Sequence, residues 1–254
     1  MVLDFTLDKY RELCSALLEN HYVPLTFSEY LENGNKLRNK LAIIRHDIDR
    51  KPFNALKMAE LENEMGVRST YYFRYPYTFK IEIIKKIIVL GHEIGYHYEV
   101  LSKANGDHEK AKELFEKELG KFREIYGVKT ICMHGSPLSK FDNRDLWTAY
   151  NFTSFGIIGE SYLSLGKDVD YFSDTGRNWN SKNKKRDFIP GKVERFSVDA
   201  TVDLIDLIKS GKAYKICILA HPERWSSSRN EWILNFNQDL VFNIGKILLK
   251  VMQN

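Results

Sequence analysis

Two spacings of apolar and polar positions alternate along this chain. Apolar residues at helical intervals over residues 6–19 (TLDKYRELCSALLE) predict a first helix, and residues 26–32 (TFSEYLE) a short second one opened by Thr26 or Ser28 as cap. A polar turn at residues 33–39 follows, and from residue 41 the pattern becomes regular. Strand LAIIRHD (41–47) leads to helix FNALKMAELENEMG (53–66), which Pro52 begins and Gly66 ends. Strand STYYFR (69–74) leads to helix FKIEIIKKIIVLG (79–91), and strand EIGYHY (93–98) to a long helix over 107–126 with Gly127 at its end. Strand VKTICMHG (128–135) precedes helix NRDLWTAY (143–150). Beyond it the pattern predicts a strand VDYFSD (169–174), a helix TVDLIDLIKSG (201–211), a strand AYKICILAH (213–221) and a C-terminal helix over 227–252.

Strands alternating with helices through short connections imply an α/β fold. Its parallel sheet is covered by helices and is either closed as a barrel or open and doubly wound. No linker, low-complexity stretch or internal repeat divides the chain. A single domain over residues 1–254 is expected, with a helical segment at 1–40, a core at 41–225 and a C-terminal helix at 226–254.

The apolar strands share a feature at their C-terminal tips, where ionisable side chains gather. Asp47 and Asp49 follow the first, His97 and Glu99 the EIGYHY strand, His134 the TICM run, Asp174 the VDYFS run and His221 the KICILA run. In α/β barrels the site is built at that edge, and in open α/β sheets ligands bind there too. Side chains alternate faces with period two, so Asp47 and Asp49 point the same way, as do His97 and Glu99. His46 and His92 fall on the opposite faces and are expected to pack or hydrogen-bond toward the helices.

Carboxylates and imidazoles together suit a borderline divalent ion, zinc first, with cobalt, nickel or iron as alternatives. Such an ion lowers the pKa of its water toward about 7, a free carboxylate beside it can take the proton, and an imidazole across the pocket can give one to a leaving group. Any single Asp or His at a strand tip is ordinarily a turn or helix cap, and Asp49, just before RKPF, is placed to cap the next helix. Five tips together outweigh that reading. Trp179, in the polar run DTGRNWN, is expected to be a pocket wall, whereas core packing is the default for Trp147 and the aromatics of STYYFRYPY.

Composition narrows the partners. The chain is 43% hydrophobic and 13% aromatic, ample for a packed core. Its net charge of +4 is spread through helices, except for SKNKKR (181–186), so nucleic-acid binding is not expected. Three cysteines, Cys14, Cys132 and Cys217, form no CxxC pair and read as buried free thiols of a reducing compartment. The first residues, MVLDFTLDKYRELC, show no secretory pattern, and no apolar run reaches the roughly 20 residues of a membrane span. A cytoplasmic protein is expected.

The ordered motifs RHDID (45–49), GHEIGYH (91–97), MHGSP (133–137), SDTGRNW (173–179) and ILAHPERW (218–225) resemble those of the polysaccharide deacetylase superfamily, the NodB-homology or carbohydrate esterase family 4 group. The resemblance covers residues 41–225. It implies a distorted (β/α) barrel of about seven strands and a metal-dependent hydrolase that removes an N-acetyl group from a sugar. The implied substrate is a nucleotide- or lipid-linked precursor of a bacterial surface polysaccharide. By position, Asp47 becomes the general base, Asp49 and His97 metal ligands and His221 the general acid. Arg45, Asp174, Trp179, Arg224 and Trp225 are expected to contact substrate. One departure stands out: the second motif ordinarily has another metal histidine four residues after the first, and here that residue is Leu101. Either Glu99 or His134 then supplies the third ligand, unless His134 pairs with Asp47 in place of the family's base-orienting arginine. A non-catalytic saccharide-binding relative with a decayed metal site is one alternative, and a hydrolase of a non-sugar C–N bond another.

Overall fold

The strand at residues 40–48 is buried along almost its whole length on both faces, the mark of a central strand covered from both sides. In the computed structural model, residues 3–34, 36, 39–135, 139–179 and 186–252 are described, with side chains as far as residue 241. In chain order the elements are α1 (Leu7–Glu19), β1 (Tyr22–Leu25), α2 (Phe27–Asn33), β2 (Lys40–Ile48), α3 (Pro52–Glu64), β3 (Thr70–Phe73), α4 (Ile81–Val89), β4 (Glu93–Tyr98), α5 (Val100–Lys103), α6 (His108–Arg123), β5 (Thr130–Met133), α7 (Leu146–Ala149), β6 (Gly159–Glu160), β7 (Asp170–Ser173), α8 (Thr201–Ser210), β8 (Lys215–Ala220) and α9 (Arg229–Met252).

Seven parallel strands pair in the order β6-β5-β4-β3-β2-β8-β7 and curl into a partial barrel, with helices around the outside. This is the distorted α/β barrel that the motif resemblance implied, one of the two arrangements that the alternating pattern left open. Two strands were not legible. β1 lies in the segment read as helical and pairs along Lys40 to Ile43 of β2, below the stretch from Arg45 to Ile48 that pairs with β3. β6 is only two residues long. The helix expected over 143–150 divides into a 3-10 turn and the four-residue α7.

Local chemistry explains the boundaries. Thr26 and Glu29 form a reciprocal capping box on α2, and the Asp107 side chain accepts from the Lys110 amide at the start of α6. Pro52 occupies the first turn of α3, where a missing N–H costs nothing. Gly95 of β4 lies opposite Tyr72 of β3, and a Cβ there would come within 2.2 Å of the tyrosine ring, so the aromatic covers a position where only hydrogen fits. All three cysteines are free and buried.

Period-two alternation gives β2 two chemically distinct faces. Arg45 and Asp47 turn into the barrel, toward Cys132, Ser161, Tyr171 and His97. His46 turns outward beneath α1 and α3, where Glu62 of α3 gathers a buried network. One Glu62 oxygen accepts from the Tyr10 hydroxyl and meets His46 Nε2 at 2.8 Å, while the other accepts from Ser69 and Tyr71 at 2.6 Å each. His92 stands 3.6 Å from the same carboxylate. His46 and His92 thus both belong to the helix side, as parity requires.

Burial opposes the charge on Glu62, but His46, His92 and the hydroxyl donors outweigh it and bring the carboxyl from 4.5 down to about 2. A depressed folded pKa contributes stability that is complete above the unfolded value and disappears as pH falls toward the folded one. Glu62→Gln should therefore lower unfolding free energy at neutral pH by on the order of 3 kcal/mol. Chemical denaturation of both proteins should show the difference shrinking between about pH 5 and pH 2, and a pH-independent difference would exclude the carboxylate as its source.

Candidate functional site

The chemistry-bearing side chains stand where parallel strands end. Asp49 follows β2, His97 is the penultimate residue of β4, His134 follows β5, and Asp174 and His221 follow β7 and β8. All lie at the same edge of the sheet because every strand runs the same way.

Asp49, His97 and His134 converge. Asp49 Oδ1 is 3.3 Å from His97 Nε2 and 3.4 Å from His134 Nε2. The opposite nitrogen of each imidazole is already committed. His97 Nδ1 lies 3.0 Å from the Cys132 carbonyl and His134 Nδ1 2.8 Å from a Glu99 oxygen, both of which can only accept. Each Nδ1 must then carry the proton, so each neutral ring directs its Nε2 lone pair at Asp49. Asp49 Oδ1 itself is buried without a hydrogen-bond partner among the described residues. Three lone pairs aimed at one point repel unless a cation sits between them, and two imidazoles with one carboxylate form a donor set for zinc or a similar ion.

The sequence left the third ligand open between Glu99 and His134. Here His134 faces Asp49, and Glu99 stands behind it. Glu99 is gripped by Arg74 through two contacts of 2.9 Å, and this corrects its expected place among the ligands. Burial opposes the Glu99 charge, but His134 and Arg74 bring the carboxyl down to about 2, so it is a fixed anion orienting the imidazole. Leu101 is buried in α5 within the hydrophobic core. The second imidazole facing Asp49 comes from the tip of the neighbouring strand, β5.

Asp47 is the second carboxylate on this face. Its Oδ2 lies 3.8 Å from His97 Nε2, its Oδ1 is 3.4 Å from Arg45 Nη1, and the Cys132 thiol donates to it at 3.5 Å. The partner proposed for Asp47, His134, belongs to Glu99 and Asp49; Arg45 takes that place. Arg45 is completely buried, donates to Ser161 at 2.7 Å and Tyr171 at 2.9 Å, and lies 4.4 Å from the centre of the Tyr162 ring. Cys132 also completes a second possible ligand group with Asp47 and His97.

A second assembly stands at the tips of β7 and β8. Asp174 Oδ1 meets His221 Nδ1 at 2.6 Å and accepts from Arg224 at 3.0 Å, while Oδ2 accepts from the His221 amide and from the Trp225 indole, each at 2.9 Å. Burial and Arg224 pull the His221 imidazole down, but the Asp174 carboxylate and its hydrogen bond outweigh them and raise it above its ordinary range. Among the described residues His221 Nε2 has no hydrogen-bond partner, and the ring lies close enough to Asp49 for their charges to interact.

The five residues expected to touch substrate are all buried. Arg45 donates to Asp47, Ser161 and Tyr171, while Arg224 and Trp225 donate to Asp174, which in turn holds His221. Trp179 is buried against Phe5 and Trp225, donates to Thr201 at 2.9 Å, and borders a cavity of about 150 Å³ between β7 and residues 187–198, away from Asp49. Ser136 and Pro137 of the third motif, and residues 181–185 of the basic run, lie outside the described residues. Arg186, which ends that run, donates to the Gly135 and Ser139 carbonyls at 2.7 Å each. Sequence reading took Cys132 for a buried free thiol without placing it beside Asp47, and did not anticipate that Arg45, which shares the parity of Asp47 and Asp49, pairs with Asp47.

No protein-family model and no curated protein matches this chain. Among solved structures, a Streptococcus mutans CE4 esterase is similar at 14% identity over 80% of this chain and 93% of its own, with a TM-score of 0.45. The deacetylase PplD of Streptococcus pyogenes, in complex with acetate, is similar at 11% identity over 67% of this chain and 74% of its own, with a TM-score of 0.44. A family 4 carbohydrate esterase from Bacillus anthracis is similar at 16% identity over 91% and 85%, with a TM-score of 0.43. Likenesses this distant leave the reading of function to the side chains themselves.

The donor geometry gives a direct expectation. Purified protein should take up one zinc or cobalt ion per chain, and Asp49→Ala or His134→Ala should abolish uptake. Glu99→Gln should weaken it by about 10- to 100-fold, because the imidazole loses its orienting anion. Titration calorimetry with zinc reads all three, and full-affinity binding to His134→Ala would remove His134 from the ligand set.

Proposed function

We propose that the protein is a metal-dependent hydrolase that removes the acyl group from an N-acetylated sugar, acting on a precursor of a surface polysaccharide. The observation that carries this reading is the pairing of the Asp49, His97 and His134 cluster, with a second carboxylate beside it, and a buried Asp174–His221 pair close enough to interact with Asp49. Binding alone requires no proton acceptor and proton donor set against one metal-binding cluster. The motif resemblance supplies the substrate class.

Asp49, His97 and His134 would hold the ion. Once bound, a divalent ion of this kind polarises the amide carbonyl and brings the pKa of water toward about 7. Asp47, held by Arg45 and Cys132, is placed to accept the proton released by the attacking water. His221, kept as an imidazolium by Asp174, gives a proton from Nε2 to the departing sugar nitrogen, without which the amine could not leave. Arg224 and Trp225 fix Asp174 from the other side, so the donor is held in one orientation before substrate arrives.

Two outcomes test these roles. Asp47→Asn should reduce deacetylation of an N-acetylglucosamine oligomer by about 100-fold or more while zinc content stays at the wild-type level; zinc loss instead would exchange the roles of the two aspartates. The acid form of His221 is the active one, so the rate should fall as pH rises through its elevated pKa. Asp174→Asn removes the interaction that raises that pKa, leaving burial and Arg224 to depress it, and should shift the alkaline limb of kcat to lower pH. An unmoved limb in this variant would mean that another group donates the proton.

A further inference from the structure

Asp47 is a buried carboxylate without a close donor. It is 2% exposed, yet Arg45 stands 3.4 Å from Oδ1, beyond the roughly 2.7–3.2 Å of an ordinary N–H···O hydrogen bond. The other donor is the Cys132 thiol, a weak one, 3.5 Å from Oδ2 and 3.6 Å from Oδ1. His97 presents Nε2 at 3.8 Å from Oδ2, with its Nδ1 already committed to the Cys132 carbonyl. The ligand atoms of Asp47, His97 and Cys132 all lie within 4.8 Å of one another, and all three residues are buried.

These separations match a metal polyhedron. With bonds of about 2.3 Å to sulfur and about 2.0 Å to nitrogen and oxygen, a tetrahedral zinc-sized ion holds sulfur and oxygen donors about 3.5 Å apart, and nitrogen and oxygen donors about 3.3 Å. A larger ion lengthens both. Asp47 Oδ2, at 3.5 Å from the sulfur and 3.8 Å from the nitrogen, stands where an ion of that size or larger would hold it. Arg45 donates to the same sulfur and is placed to remain there as an outer partner of the thiolate.

His97 Nε2 is also the nitrogen that faces Asp49, and one lone pair serves one ion. This inner triad and the Asp49, His97 and His134 triad therefore exclude each other. They differ in softness, because only the inner one offers sulfur, the donor that soft ions select. Burial raises the Cys132 thiol well above its ordinary range against the pull of Arg45, so an ion must favour sulfur strongly to displace the thiol proton. Borderline ions such as zinc and cobalt keep to the outer set.

We propose that Asp47, His97 and Cys132 form a second, inner metal site that takes a thiophilic ion of the cadmium type in exchange for the ion at Asp49, His97 and His134. The thiol proton leaves to solvent, and the ion is bound by the thiolate sulfur, an Asp47 oxygen and His97 Nε2. On the hydrolytic reading, such an ion occupies the carboxylate that accepts the proton of water, so the inner site is an inhibited form.

The full chain, titrated with cadmium in oxygen-free buffer, should develop the ultraviolet charge-transfer absorption of a cadmium–thiolate bond and saturate at one ion per chain. Zinc loaded beforehand should be released as the band grows, since His97 is shared. Cys132→Ser should remove the band, whereas His134→Ala, which alters the outer set alone, should keep it. Asp47→Asn should weaken cadmium binding by more than the roughly tenfold that losing an outer partner costs, with zinc uptake unchanged; this variant carries the test independently of how Cys132→Ser folds. No band in the wild type overturns the proposal, as does a band that persists in Cys132→Ser. A band that His134→Ala abolishes overturns it too, by making the sulfur one more ligand of the outer ion. The absorption is read without turnover, so its absence would leave the hydrolytic reading standing.

Discussion

A guanidinium with no exposed surface lies at the heart of this barrel. Arg45 cannot shed its charge, and removing the partner of such a buried ion costs about 3–5 kcal/mol. Asp47 must therefore stay beside it. The same guanidinium reaches Ser161 just after β6 and Tyr171 on β7, the two ends of the sheet, and the Tyr162 ring packs against it. Burial works against the charge while Asp47 sustains it, so the placement of this carboxylate and the closure of the curled sheet answer to one interaction. Replacing the arginine would disturb shape and chemistry together.

β2 distributes polar groups between two independent jobs by parity alone. Its inward face sends Arg45, Asp47 and then Asp49 to the mouth, while His46, between the first two, completes the Glu62 network with Tyr10, Ser69, Tyr71 and His92. Each side satisfies its own buried groups, which keeps the fixed charges of the outer network from competing with the cluster at the tip. The aspartates and histidines of the mouth are in turn braced from behind, His134 by Glu99 and Arg74, His221 by Asp174, Arg224 and Trp225. Orientation is prepaid in the fold.

What could be read from the sequence was whatever a single element determines. Strand tips, their shared edge and the inward parity of Asp47, Asp49 and His97 follow from periods of two and 3.6, and the structure places them accordingly. Choosing His134 over Glu99 was beyond that reach, because it depends on Arg74, which arrives from the β3 tip to claim the carboxylate. Trp179 borders a cavity as expected, but the location of that cavity away from Asp49 was beyond reach for a similar reason. Its polar neighbours in sequence say nothing of Phe5 and Trp225, which are distant in the chain and adjacent in space. β1 was missed because four residues containing a proline carry no periodic signal, and its strand character exists only against the lower half of β2.

Near its beginning and again after the last strand, the chain meets itself. Leu7 donates to the Ser226 carbonyl at 3.0 Å and Ser226 to the Phe5 carbonyl at 3.1 Å, and the Trp232 indole reaches the Asp4 carbonyl at 2.6 Å. Contacts spanning so much sequence cost loop-closure entropy before any bond repays it. The clasp makes the chain topologically a ring: the path from strand to strand returns to its starting residues. Cleaving that ring at an exposed loop and joining it near the clasp would leave the order of neighbours unchanged, which is the condition for circular permutation to preserve a fold.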